Sequence, residues 1–339
     1  METGKQTGVW KMLVSGRSRI CQGSLVLNNV RIHQGSLILV NRQYPMRYIP
    51  KERELCPVSA RQPEICMECE SAAMLRRLLK EVRREAIGKG YISLRMQNGR
   101  LGRDAARQDF IVGVSGYRTK EEQVRIFEDS LKENGREFTE KYVAFPDHSE
   151  HQTGLAIDLA ENKAEIDFIR PDFPYEGICQ RFREKMADFG FIERYPKEKQ
   201  AITGIGAEPW HFRYIGVPHA RMMRKKGMVL EEYVEWLKQF DLLENPLIMY
   251  REGKEIRIGY VKAEGEYTRI AYGNAQEHTQ LAYGNTREYT RVAYVGTQGD
   301  YMGIEGQLRQ GIRVSGNNMD GFIITCIIEK HLSTPVGKE

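Results

Sequence analysis

Hydrophobic positions along this chain change period several times, and the changes outline its elements. Residues 71 to 88 place Met74, Leu75, Leu78, Leu79 and Val82 at helical spacing, and Gly88 and Gly90 end the run. Thr119-Lys-Glu-Glu122 reads as a capping box that opens a second helix to about Glu133, with Asn134-Gly135 as its stop. Residues 176 to 189 carry Ile178, Phe182, Met186 and Phe189 on one helical face, and Val229 to Phe240 carry Tyr233, Trp236, Leu237 and Phe240. Two stretches between these follow period two instead. Leu155, Ile157 and Leu159 share one strand face, while Asp158 points the other way with Ala156 and Ala160. Trp210, Phe212 and Tyr214 likewise alternate with His211 and Arg213.

After Asn245-Pro246 the helical period vanishes and strand signals take over. Tyr267-Thr-Arg-Ile-Ala-Tyr-Gly-Asn274 recurs as His278-Thr-Gln-Leu-Ala-Tyr-Gly-Asn285 and as Tyr289-Thr-Arg-Val-Ala-Tyr294, an 11-residue repeat. Gly-Asn turn chemistry between alternating runs predicts a meander of three antiparallel strands. Val314 to Cys326 adds a loop and a buried closing strand. Near the other end, Gln22-Gly-Ser-Leu-Val-Leu is echoed by Gln34-Gly-Ser-Leu-Ile-Leu, two short strands forming a hairpin on the central sheet or an interface. The expected organisation is an N-terminal β extension over 1–36, a central α+β domain over 37–243 and an all-β domain over 247–332.

Composition narrows the classes. With 339 residues, 41% of them hydrophobic, the chain can bury a sizeable core and hold more than one domain. A net charge of +5 tolerates anionic partners, but no dense basic stripe supports nucleic-acid binding. No apolar run approaches the roughly 20 residues of a membrane span. Met1 to Val30 offers no apolar segment of signal-peptide length, so a cytoplasmic location is expected. The six cysteines do not fall into a secreted framework. Cys66 and Cys69 form the close pair, a zinc site there would need another pair of matching spacing for which Cys56 is a poor substitute, and reduced thiols are expected.

The chemistry gathers in Ser149-Glu-His-Gln-Thr-Gly-Leu-Ala-Ile-Asp158 and Glu208-Pro-Trp-His211. His151, Asp158 and His211 can close three sides of a tetrahedral zinc site, leaving the fourth to water, which is the hydrolytic arrangement. A carboxylate flanked by alanines on a strand face needs a partner there, and a cation serves. Glu208 falls on the wrong face of a continuous strand. Pro209 breaks the ladder, which places Glu208 in a turn at the strand's mouth, able to act as a base. Arg118 lies just ahead of the second helix, at a strand-to-helix corner, where a guanidinium can meet a developing oxyanion. Ser149, two residues before a ligand, is a candidate for a substrate carboxylate or amine, and Gln123 and Ser115 join it as substrate contacts. His148 is excluded as a fourth ligand because it would close the water position.

Ser-x-His-x-x-Gly-x-Ala-x-Asp followed by Glu-x-x-His resembles the VanY/VanX/VanXY group of zinc D-alanyl-D-alanine peptidases. Ser115-Gly-Tyr-Arg-Thr119, Tyr195 to Gly204 and Glu208 to Gly216 match further, and Leu39-Val-Asn-Arg-Gln-Tyr-Pro45 is similar to the opening of the cytoplasmic VanXY branch. The resemblance spans roughly residues 37 to 240. It implies a hedgehog/DD-peptidase fold, an antiparallel sheet with flanking helices, and one zinc on His151, Asp158 and His211. It further implies Glu208 as catalytic base, transition-state stabilisation by Arg118, and peptidoglycan precursor peptides ending in D-Ala-D-Ala as substrates. Two other readings stand beside it: a stem-peptide endopeptidase, and a non-catalytic zinc-stabilised cell-wall-binding module. The open edge of the C-terminal sheet is a candidate for pairing a homodimer.

Overall fold

The computed structural model describes residues 23–88, 96–97, 100–101, 109–242, 244–272, 289–295 and 312–329. In chain order the first strands are β1 (Gly23–Asn28), β2 (Leu55–Ser59), β3 (Gln62–Glu68), β4 (Met96–Gln97), β5 (Arg100–Leu101), β6 (Ile111–Ser115) and β7 (Ala156–Glu161). Then follow β8 (Phe191–Tyr195), β9 (Glu208–Tyr214), β10 (Leu247–Arg251), β11 (Lys254–Lys262), β12 (Tyr267–Tyr272), β13 (Tyr289–Val295), β14 (Ile312–Gly316) and β15 (Gly321–Glu329). The helices are α1 (Cys69–Gly88), α2 (Lys120–Tyr142), α3 (Gly177–Met186), α4 (Gln200–Thr203), α5 (Val217–Lys226) and α6 (Leu230–Leu237). Two compact units result, one of residues 39–233 and one joining 1–38 to 234–339.

The 39–233 unit mixes helix and sheet. Its antiparallel sheet runs in the order β6-β7-β9-β8. The expected alternation on β7 and β9 is present. Ile157 sits across from Phe212, and Asp158 across from His211, so the apolar and polar sets fall on opposite faces. On the apolar side Phe212 meets Phe173 and Phe182, ring centroids 5.0 and 4.8 Å apart. α1 and α3 pack together, burying Leu75, Leu78 and Val82 of the predicted helical stripe together with Cys179 and Phe182. This greasy layer leaves the other face for polar groups.

α2 opens as predicted: Thr119 Oγ1 accepts from the Glu122 amide, and the Glu122 carboxylate accepts from the Thr119 amide. It does not stop at Asn134-Gly135. Gly135 takes φ 77° as a kink, and helix resumes to Tyr142, where Phe138 and Tyr142 stack at 4.8 Å. The short α5, with Pro218 in its first turn, escaped the sequence reading. Gly90 lies outside the described residues.

A disulfide joins Cys56 to Cys69, overturning the expectation of reduced thiols. β2 and β3 form an antiparallel hairpin that delivers the chain into α1, and this fold brings Cys56 back over the first residue of the helix. Cys66 is free, and Cys179 and Cys326 are buried; Cys21 lies outside the described residues.

In the other unit, β10-β11-β15-β14 form a four-stranded antiparallel sheet. Leu27, Leu242, Val261, Ile312, Phe322, Ile324 and Cys326 form its core. The N-terminal stretch belongs here. β1 pairs antiparallel with β12, and the second copy of its near repeat, from Gln34, is not a strand. Gly35 takes φ 110°, and the Gly316 amide donates to the Gln34 carbonyl at 2.8 Å, which turns this copy away from any hairpin. The simple meander is also corrected. β12 and β13, the first and third repeats, run parallel with Tyr267 opposite Tyr289, so consecutive antiparallel turns do not describe them. The middle repeat, His278 to Asn285, lies outside the described residues.

Candidate functional site

The polar face of the β6-β7-β9-β8 sheet carries a buried cluster. His151 comes from a 3-10 turn, Glu150–Thr153, closed by Gly154 at φ 72°. Asp158 and His211 come from the facing positions of β7 and β9. One nitrogen from each histidine and one Asp158 oxygen lie within 4.8 Å of one another, all three residues buried. His151 Nε2 stands 3.1 Å from Asp158 Oδ2, and His211 Nδ1 stands 2.9 Å from Asp158 Oδ1. The other nitrogen of His151, Nδ1, is 2.7 Å from the Gly116 carbonyl. A carbonyl can only accept, so Nδ1 carries the proton and Nε2 offers its lone pair inward. The donor chemistry suits a divalent metal: two imidazoles and one carboxylate, the latter held well below the usual carboxylate range despite its burial by His151 and His211.

The backbone behind His151 explains two glycines. A Cβ at Gly116 would lie 2.2 Å from the Cys66 carbonyl oxygen, and one at Gly154 only 3.1 Å from the Glu68 amide. The same strand edge accepts Tyr117 N–H on the Cys66 carbonyl at 2.6 Å and donates Glu68 N–H to the Gly154 carbonyl at 2.7 Å. The β2–β3 hairpin therefore buttresses both sides of the histidine turn.

Glu208 joins this cluster by a route the sequence did not suggest. It is the first residue of β9, paired with Tyr195, rather than part of a preceding turn. The β8–β9 register shifts between Glu193 and Tyr195, whose β9 partners are Phe212 and Glu208, so β9 is irregular over this stretch and strict alternation does not apply to it. Glu208 Oε2 lies 3.7 Å from His211 Nδ1. Arg183 fixes the strand's entry by donating to the Pro209 carbonyl at 2.7 Å. Burial pushes the Glu208 carboxyl up to about 8, with the His211 charge opposing and Asp158 assisting.

Arg118 stands at the predicted corner between β6 and α2. Its Nε donates to Ser115 Oγ at 2.7 Å, and its terminal nitrogens reach Asp158 Oδ2 at 2.9 Å and Gln123 Oε1 at 3.5 Å. Gln123 is buried within the fold and donates to the Ala144 carbonyl at 2.8 Å. Ser149 is buried one residue ahead of the histidine turn. His148 is not part of the cluster; its Nδ1 is 2.7 Å from the Asn41 carbonyl.

The sequence reading overlooked Glu150. Its carboxylate is buried, with Oε1 2.8 Å from both Arg194 Nε and Arg213 Nη1, and Arg194 continues to Glu231 at 2.6 Å. These guanidiniums hold Glu150 far below its ordinary pKa against the cost of burial. Arginines at strand positions between apolar neighbours, as in Phe191-Ile-Glu-Arg-Tyr and His211-Phe-Arg-Tyr, were the available signal, since a buried guanidinium requires a carboxylate. Tyr195, stacked 4.9 Å from the His211 ring and 4.8 Å from the Arg194 guanidinium, closes the cluster.

Residues 94–217 match the family model described as VanY, D-alanyl-D-alanine carboxypeptidase. Over 141 residues the chain is 48% identical to the bifunctional D-Ala-D-Ala dipeptidase and D-Ala-D-Ala carboxypeptidase VanXYC of Enterococcus gallinarum, covering 41% of this chain and 74% of that protein. The chain belongs to the VanY/VanXY family. A D-alanyl-D-alanine carboxypeptidase of Enterococcus faecalis is 37% identical over 142 residues, covering 39% of this chain and half of that protein. The crystal structure of the vancomycin-resistance D,D-dipeptidase VanXYg with a D-Ala-D-Ala phosphinate analogue is 38% identical. It covers 90% of this chain and 99% of its own, with a TM-score of 0.70. The family model spans the whole cluster, from Arg118 to His211.

Proposed function

We propose that this protein is a zinc-dependent D-alanyl-D-alanine carboxypeptidase with D-Ala-D-Ala dipeptidase activity alongside, acting on peptidoglycan precursor peptides. The observation that carries the reading is the convergence of a buried His–Asp–His donor set with Glu208 and Arg118. Family membership and the ligand of the VanXYg structure support the D-Ala-D-Ala substrate class. The antiparallel sheet with its flanking helices supports the hedgehog/DD-peptidase-like architecture.

His151, Asp158 and His211 would hold one zinc per chain. Bound there, zinc supplies Lewis-acid polarisation and eases the ionisation of water at neutral pH. The remaining work falls to side chains. Glu208 takes a proton from the attacking water and hands it to the leaving amine, a role suited to a carboxyl whose burial raises its pKa. Arg118 donates to the oxygen that gains charge as the scissile carbonyl becomes tetrahedral. Ser115 and Gln123 spend polar atoms on Arg118, which favours an aiming role for both over direct substrate contact. Ser149 takes a terminal carboxylate or amine of the peptide.

Mass spectrometry of D-Ala-D-Ala and of a pentapeptide stem, incubated with zinc-loaded protein, tests this. The expected product is the stem shortened by one D-alanine, together with free D-alanine from the dipeptide. A larger fragment leaving the stem would instead identify an endopeptidase, and no cleavage at all would leave a binding module.

Two observations bear on the compartment. The VanXY-like opening segment, Leu39 to Pro45, supports a cytoplasmic location. The Cys56–Cys69 disulfide favours an oxidising compartment. Alkylation of the native protein before reduction decides: two protected thiols mean the bridge exists where the protein works. A homodimer paired through an edge of the C-terminal sheets is the proposed assembly, read by light scattering.

A further inference from the structure

Behind His211, on the side away from Asp158, two polar atoms face each other across 3.6 Å: His211 Nε2 and Glu150 Oε2. Both are buried, and neither has a hydrogen-bond partner within normal reach. The remaining oxygen of Glu150 is engaged by Arg194 and Arg213, each at 2.8 Å. Glu150 therefore has one oxygen anchored by two guanidiniums and one left over, aimed at the back of a candidate metal ligand. The pairing is not forced by chain proximity, because Glu150 lies on a 3-10 turn ahead of β7 and His211 on β9, with β8 between them in the chain.

We propose that Glu150 is a positioning residue: its free oxygen accepts the Nε2–H of His211 and so fixes the imidazole tautomer that presents Nδ1 to the metal. The inference rests on the metal-site reading given above. An imidazole that ligates through Nδ1 must carry its proton on Nε2, and that buried N–H needs an acceptor. Among the described residues Glu150 Oε2 is the group placed to provide one, and an approach of a few tenths of an ångström makes the bond. A carboxylate behind a ligating imidazole orients the ring and increases its basicity. The two histidines are thus set by different devices. The Gly116 carbonyl takes the Nδ1 proton of His151 and directs Nε2 inward, whereas Glu150 takes the Nε2 proton of His211 and directs Nδ1 inward. Arg194 and Arg213 keep the carboxylate from rotating away, and Glu231 holds Arg194 in turn.

The test is zinc affinity, measured by chelator competition, in the full-length wild type, E150Q and E231Q. Glu150→Gln preserves shape and removes the charge; Glu231→Gln loosens the same arginine network without touching His211. The expected result is a zinc affinity about 10- to 100-fold weaker in E150Q, with E231Q within about threefold of wild type. Equal affinity in E150Q and wild type would overturn the proposal, and so would an equal loss in E231Q, which would make Glu150 a structural anchor. Nitrogen-15 NMR of the zinc-loaded wild type provides a second reading that survives if E150Q fails to fold. Its expected signature is His211 protonated at Nε2 and metal-bound at Nδ1; the reverse tautomer refutes the role. Wild-type protein that takes up no zinc would refute the metal site itself, a result distinct from zinc-loaded protein indifferent to Glu150.

Discussion

Glu208 and His211 hold their protons unusually tightly in the metal-free protein, and this makes stability depend on pH. Burial keeps the Glu208 carboxyl neutral up to about 8, against an ordinary value of 4.5. His211 is shielded from water, which disfavours its charge, yet Asp158 and Glu150 overcome that and raise it from 6.5 to about 9. The unfolded chain releases both protons at lower pH than the folded one. Stability is therefore lost as pH rises, from Glu208 between about 4.5 and 8 and from His211 between about 6.5 and 9. The melting temperature of zinc-free protein should fall steadily from pH 6.5 to 9; a flat or rising profile would contradict these assignments. The clustering of His151, Asp158 and His211 was legible in the sequence, because strand alternation aligns two of them and a short glycine-closed motif supplies the third. Glu150 was not. A glutamate beside a ligand reads as surface until Arg194 and Arg213, from two later strands, are seen to bury it.

Elements fix what single residues cannot. The capping box of α2 was readable because its four residues are contiguous, and it places Arg118 one residue ahead of the helix. The β9 irregularity was not readable, since it arises from the register between β8 and β9 rather than from β9 alone. The same limit hid the Cys56–Cys69 bridge: scattered cysteines suggested reduced thiols, whereas the β2–β3 hairpin brings one sulfur back to the start of α1. The bridge closes a loop of 13 residues, for which chain-entropy reasoning gives roughly 3 kcal/mol. Reduction should therefore lower the urea midpoint by an amount equivalent to about 2–3 kcal/mol without abolishing folding. Because the hairpin holds the Gly116 and Gly154 backbone, zinc affinity should fall with it. An unchanged midpoint would show that the hairpin is held by its packing alone.

At the scale of the whole molecule, Arg118, His151, Asp158, Glu208 and His211 all lie in the unit of residues 39–233. The parallel pairing of the first and third repeats, and the recruitment of the N-terminal strand to the other unit, were invisible to local pattern, because both depend on partners more than 20 residues away. A fragment of residues 37–243 should fold, bind zinc and hydrolyse short D-Ala-D-Ala peptides. If it folds with metal but is inert, the C-terminal unit contributes to catalysis. The central claim is that a metal centre and a separate carboxylate base share the work, and one variant separates them. Glu208→Gln should retain one zinc per chain, while turnover of a D-Ala-D-Ala peptide falls by at least ~10²-fold. Near-wild-type turnover in a fully zinc-loaded Glu208→Gln protein would contradict it.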